Sequence, residues 1–302
     1  VAYIVGMHEK LPETVYHYTD IYGVQGIYES EELWATSSRF LNDSTEATPG
    51  IDSLKTRILN KKVELLTAQS EIMEAANEVP RPLSDSEEES LAELRDKTKK
   101  LKPVLDAADD VGKFIDCFIV SLSEVPDQLS QWRGYAREGY CIGFSTEKLC
   151  EALGEDYELR EVIYAGGEGS TGYIDQITGI AMALAESETV TDEDHRKWAL
   201  RSAIRFESAF VKNSTFSEEK ELRIVPVDAE MPNHFTAGRY GLTPRHKIKI
   251  TRDAITEVCV GPGAHKDLRA RSLVEYFHFT RDQFPIKSTP IVKRSSVPYR
   301  DW

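Results

Sequence analysis

The sequence predicts an α+β fold, and three observations lead there. Short aromatic or β-branched runs alternate with helical stretches without a regular strand–helix–strand rhythm, which argues against a doubly wound parallel sheet. The stretch from about Ile51 to Gly112 changes to a coiled-coil-like spacing. No internal repeat is visible. The expected organisation is a core domain of residues 1–50 and 113–302, interrupted by an antiparallel helical hairpin over 51–112.

The core opens with "TVYHYT", a short strand. "DIYGVQGIYES" follows as a helix with Asp20 as N-cap and Val24 and Ile27 on one face, and "ELWATSS" extends again. "RFLNDSTEATPG" turns the chain on Asn42, Asp43, Pro49 and Gly50. In the hairpin, Leu54, Ile58, Lys61, Leu65, Ala68, Ile72 and Ala75 step by four and three, and Leu91, Leu94, Thr98, Leu101, Leu105 and Ala108 repeat the pattern. Ser86 and Glu89 have capping-box spacing at the start of the second helix, and Pro103 is expected to kink or split it.

Beyond the hairpin, "FIDCFIVSLS" has the apolar density of a buried strand and "YCIGFS" is another, followed by a helix from Thr146 and the strand "LREVIYA". The turn "AGGEGSTG" lacks the lysine of a P-loop and the spacing of a dinucleotide fingerprint, so it reads as a surface loop. Helices follow over Ile174–Ser187 and from Asp192 to about Lys212. Then come the strands "EKELRIVPV", "HKIKI" and "ITEVCVG", the helix "HKDLRARSLVEYFHF" and the strand "TPIVKRSS".

Composition narrows the function classes. Over 302 residues, 40% hydrophobic and 29% charged content fit a soluble globular protein, and a net charge of −14 argues against a surface built to grip nucleic acid. Any polyanion must be held locally. "VAYIVGMHEK" fits neither a secretory signal nor a membrane span, and Cys117, Cys141, Cys150 and Cys259 form no CxxC pair. A reduced cytoplasm and no membrane partner are expected, without metal binding through sulfur.

Four clusters could carry chemistry. "YHYTD" places His17 and Thr19 on one strand face, where a satisfied structural histidine is the plainer reading. "SSRFLNDSTE" crowds hydroxyls, Asn42, Asp43 and Glu46 into one turn, which hydrogen-bonded Asx turns would equally explain. "WRGYAR" sets Trp132 and Tyr135 beside Arg133 and Arg137, suited to stacking a base or to packing on a core. Finally, a strand through "EKELRIVPV" would align Glu219, Glu221 and Arg223 on one face, with Lys220, Leu222 and Ile224 on the other. Two adjacent carboxylates on one face repel unless they meet water, a cation or a ligand.

In this order "YHYT", "FLNDSTE", "WRGYA" with "CIGF", "EKELR" and the tail "KRSSVPYR" resemble a widespread bacterial domain family of unknown function. The layout is similar to the ADP-ribosyltransferase-like fold. That resemblance implies NAD as substrate and transfer of ADP-ribose to a macromolecular acceptor, protein or nucleic acid, in a defence or toxin-like setting. It implies Glu221 as the catalytic carboxylate, Glu219 positioning or activating the acceptor, and Arg223 setting their ionisation or binding phosphate. His17 and Thr19 hold the ribose, Ser37 and Ser38 line the site, and Tyr18 and Asn42 are counted with the cofactor-binding residues. The stacking aromatic is Phe40, Trp132 or Tyr135, since no tyrosine follows the second strand. Two other readings stand beside it. One is a non-catalytic nucleotide sensor signalling to a protein partner through the hairpin. The other is a metal-dependent hydrolase or nuclease using Asp43, Glu46, Glu219 and Glu221.

Overall fold

A computed structural model of the chain describes residues 11–41, 48–78, 81–114, 116–136, 139–187, 192–228, 231–238, 241–284 and 286–298. In chain order the elements are β1 (Thr14–Thr19), α1 (Ile21–Ser30), β2 (Glu32–Ser37), α2 (Thr48–Glu78), α3 (Asp85–Phe114), β3 (Phe118–Ser123), α4 (Leu129–Gln131), β4 (Tyr140–Ser145), α5 (Thr146–Leu153), β5 (Tyr157–Glu161) and β6 (Ile163–Ala165). They continue with α6 (Ser170–Glu186), α7 (Glu193–Ser208), β7 (Val211–Asn213), β8 (Glu221–Pro226), β9 (His234–Gly238), β10 (Gly241–Lys249), β11 (Ile255–Val260), α8 (Lys266–Thr280) and β12 (Ile291–Arg294). The fold is α+β, and among the described residues no helix is long and apolar enough to cross a membrane.

The chain divides into two units. In one, α2 and α3 run antiparallel, as Lys55 pairing with Asp109 and Gln69 donating to Thr98 require. This is the hairpin read from the heptad spacing, but it does not stand alone in its unit. Ile51, Leu54 and Ile58 of α2 and Leu101, Val104, Ala108 and Val111 of α3 share a core with Ile174, Ile177 and Ala181 of α6 and with Leu200 and Ile204 of α7. The inserted boundary 51–112 therefore covers only half of a four-helix arrangement, which also carries the parallel pair β6–β7. Local periodicity cannot reveal that two helices far along the chain return to the same core. At Gly50 a Cβ would lie 2.9 Å from the Ser208 backbone, so only glycine allows α2 and α7 this approach. The capping box is formed by Ser84 and Glu87, not by Ser86 and Glu89: Glu87 accepts from the Ser84 amide and hydroxyl, and Arg81 clamps the same carboxylate. α3 continues through Pro103 unsplit.

The other unit is built on a mixed sheet in the order β12–β11–β4–β1–β3–β2–β10–β9, with β8 and β5 joined to the far edge of β3. Alternation gives this sheet one apolar face. Val15, Leu33, Ala35, Val120, Leu122, Ile142, Phe144, Leu222, Ile224 and Ile248 bury there against Val24, Ile27 and Tyr28 of α1, Leu149 and Leu153 of α5, and Leu273 and Phe277 of α8. Asp20 caps α1 by accepting from the Gly23 amide, as its sequence position predicts. The opposite face carries Tyr16, Tyr18, Thr36, Ser121, Ser123, Glu221, Arg223 and Arg245, while His17 has the parity of Val15, in register with Ile142, and reaches the Ser121 carbonyl from there.

Candidate functional site

β3 is the branch point of the sheet. Its even-numbered residues bond to β8, with Glu124 continuing that ladder to Lys220. The odd-numbered carbonyls point to the other edge, and there β1 and β2 compete. β2 takes Cys117 through the Ser38 amide and is in register at Ile119, whereas β1 is in register only at Ser123. Between them stands Ser121, whose carbonyl accepts from Nδ1 of His17 at 3.0 Å. A side chain thus occupies the position where a strand ladder would run, and β1 and β2 diverge around it.

A carbonyl can only accept, so Nδ1 of His17 carries the proton and the neutral ring presents Nε2 as an acceptor. Burial pushes the His17 pKa below its ordinary value; the Ser121 bond opposes this and the positive charge of Arg245 adds to it. Arg245, which the sequence reading did not single out, is in register with Thr36 on β10. It donates through Nη1 to the Thr36 hydroxyl and through Nε to the Thr236 hydroxyl at 3.2 Å. No motif announces it; only the pairing of β10 with β2 brings it toward His17.

The expected row of Glu219, Glu221 and Arg223 on one strand face is corrected by the structure. Ser214–Glu219 form a 3-10 turn, and Lys220 with φ of 43° breaks the chain before β8 begins at Glu221. Glu219 is therefore off the strand, where its carboxylate accepts from the Tyr135 hydroxyl at 2.9 Å. Glu221 and Arg223 do share a face, but a buried one, at 3% and 0% exposure. Nε of Arg223 lies 2.9 Å from Oε1 of Glu221, and Nη2 lies 3.3 Å from Oε2. The repulsion between neighbouring carboxylates is removed by the turn, and the remaining one meets a guanidinium in a two-point pair.

The aromatics divide the same way. Trp132 is fully buried, edge-on to Tyr18 with centroids 4.8 Å apart, and its indole donates to Asp127. It has no face open to a ligand ring. Tyr18 is also committed, donating to the Val125 carbonyl and accepting from the Gln128 amide, and burial raises its pKa. Tyr135 is 39% exposed. Asp127 also gathers the Ser295 hydroxyl and the Ser296 amide and hydroxyl, which gives the "KRSS" tail a structural role.

Thr19 closes over α1: a Cβ on Gly23 would fall 1.9 Å from its Oγ1. Ser37 ends β2 fully buried, Ser38 accepts from the Cys117 amide, and Phe40 ends the following 3-10 turn half-buried. Asn42, Asp43 and Glu46 lie outside the described residues. Among the described residues no three of histidine, cysteine, aspartate or glutamate come together in a metal-binding group.

No curated protein and no solved structure matches the chain. A family model does match, over the stretch holding Trp132, Tyr135, Glu219, Glu221 and Arg223, while His17 and Arg245 fall outside it. Residues 131–224 match the model of a family described as a protein of unknown function (DUF2971).

Proposed function

We propose that the site where β1 and β2 diverge beside β3 binds NAD and that the protein is an ADP-ribosyltransferase-like enzyme that passes ADP-ribose to a macromolecule. The observation that carries this reading is the divergence of β1 and β2 about Ser121, with His17 presenting Nε2 there as an acceptor suited to a ribose hydroxyl. In the reaction the bond from C1′ to the nicotinamide nitrogen breaks, and its electron pair leaves with neutral nicotinamide. The ribose gains oxocarbenium character. An acceptor nucleophile then bonds C1′ and loses its proton.

A carboxylate near C1′ stabilises that developing charge. Glu219 is the group assigned here, since it accepts from the hydroxyl of Tyr135, whose partly exposed ring would take nicotinamide. Glu221, already paired with Arg223, holds the head of β8 in place. Incubation with NAD and cell lysate tests the reading: nicotinamide release that falls by about 10²-fold in Glu219→Gln supports it, and full turnover in that variant removes Glu219 from the role.

The Glu221–Arg223 pair favours a second reading, a nucleotide sensor without turnover. Its output would pass through α2, where Leu59, Val63, Leu66 and Met73 form an exposed apolar stripe. Nucleotide binding with no nicotinamide release selects it.

A further inference from the structure

Several buried or half-buried arginines in the sheet-bearing unit meet carboxylates, Arg223 with Glu221, Arg160 with Glu158 and Arg252 with Glu31, while Arg269 donates to the Gly139 carbonyl. Arg245 departs from this pattern. It is half-buried, burial lowers its pKa, and among the described residues its side-chain partners are two threonine hydroxyls and no carboxylate. A guanidinium removed from water without a counter-charge is costly, and on a chain with a net charge of −14 a nearby carboxylate would be easy to supply.

The two hydroxyls have a further effect. Thr236 holds Nε and Thr36 holds one Nη1 hydrogen, so the plane of the fork is fixed while the remaining Nη hydrogens meet no acceptor among the described residues. Each threonine oxygen accepts from the arginine and keeps its own O–H to donate. Two hydroxyl donors therefore flank one oriented cation, which suits a tetrahedral oxyanion. Thr36, in register with Arg245 on one side and with Ile119 of β3 on the other, places this group beside the divergence of β1 and β2.

We propose that Arg245, with Thr36 and Thr236, forms an anion site that takes the phosphoryl groups of a nucleoside diphosphate. The proposal deepens the NAD reading and rests on it only for the identity of the nucleotide; the oxyanion chemistry stands on Arg245 itself.

Titration calorimetry with ADP, adenosine and inorganic phosphate on the full chain tests it, beside thermal melting. ADP should bind the wild type at least about 10-fold more tightly than adenosine, and Arg245→Gln should weaken ADP by about 10-fold or more while Arg245→Lys falls between. Should Arg245→Gln melt early, Thr236→Val, at the sheet edge, replaces it and should weaken ADP several-fold. Equal binding of ADP and adenosine, no ADP binding to the wild type, or unchanged ADP binding in a well-folded variant overturns the proposal. Arg245-dependent ADP binding without nicotinamide release from NAD would uphold this site and count against the transferase reading.

Discussion

Glu221 and Arg223 stand two residues apart on one strand face, joined at 2.9 Å and both shielded from water. Removing the charge of one takes away the other's buried ion-pair partner. Glu221→Gln is expected to destabilise the protein by about 3 kcal/mol, whereas replacing both residues with leucine costs far less. Denaturant unfolding of the single and double variants checks this; a Glu221→Gln protein as stable as wild type contradicts the pairing.

Asp127 ties the segment before Trp132 to the C-terminal "SS" pair. Burial alone would raise its pKa, but hydrogen bonds from Ser295, Ser296 and Trp132 prevail and hold it below the usual aspartate value. The stabilisation is thus fully present above the unfolded value of about 3.9 and is lost as pH falls through the lower folded value. Asp127→Asn should melt well below wild type at pH 7, and the gap should narrow below about pH 4. A gap that stays constant with pH would assign the effect to shape alone.

Gly23 and Gly26 share α1 but differ in what a methyl group would meet. Gly26→Ala enters open space and should stabilise by up to about 1 kcal/mol through helix propensity. Gly23→Ala drives a carbon into the Thr19 hydroxyl and should destabilise in spite of that gain. Thermal melting of the pair decides: equal shifts would mean that Thr19 does not close over the helix.

Ile58 lies in the four-helix core while Val63, on the same helix, is 62% exposed. Ile58→Ala should cost about 2–5 kcal/mol and Val63→Ala almost nothing. Similar losses at both sites would show that Val63 is covered.

The sequence made visible what depends on local pattern. Asp20 as a cap, β1 over "TVYHYT", β4 over "YCIGFS" and the antiparallel hairpin follow from neighbours a few residues apart. What it hid depends on distant strands or on single dihedrals. The positive φ of Lys220 moves Glu219 off the strand, and no alternation rule signals it. Trp132 reads as a stacking surface, but Tyr18 of the distant β1 closes on it, together with the nearby Asp127. Arg245 has no motif at all; its place comes from the register of β10 with β2.

The measurement that bears most directly on the central claim is nicotinamide release from NAD by the wild type, His17→Ala and Glu219→Gln, each verified as folded by melting. The account predicts turnover in the wild type, weaker NAD binding as well as slower release in His17→Ala, and slower release alone in Glu219→Gln. Full turnover in a folded His17→Ala protein, or none in the wild type with any acceptor, would contradict it.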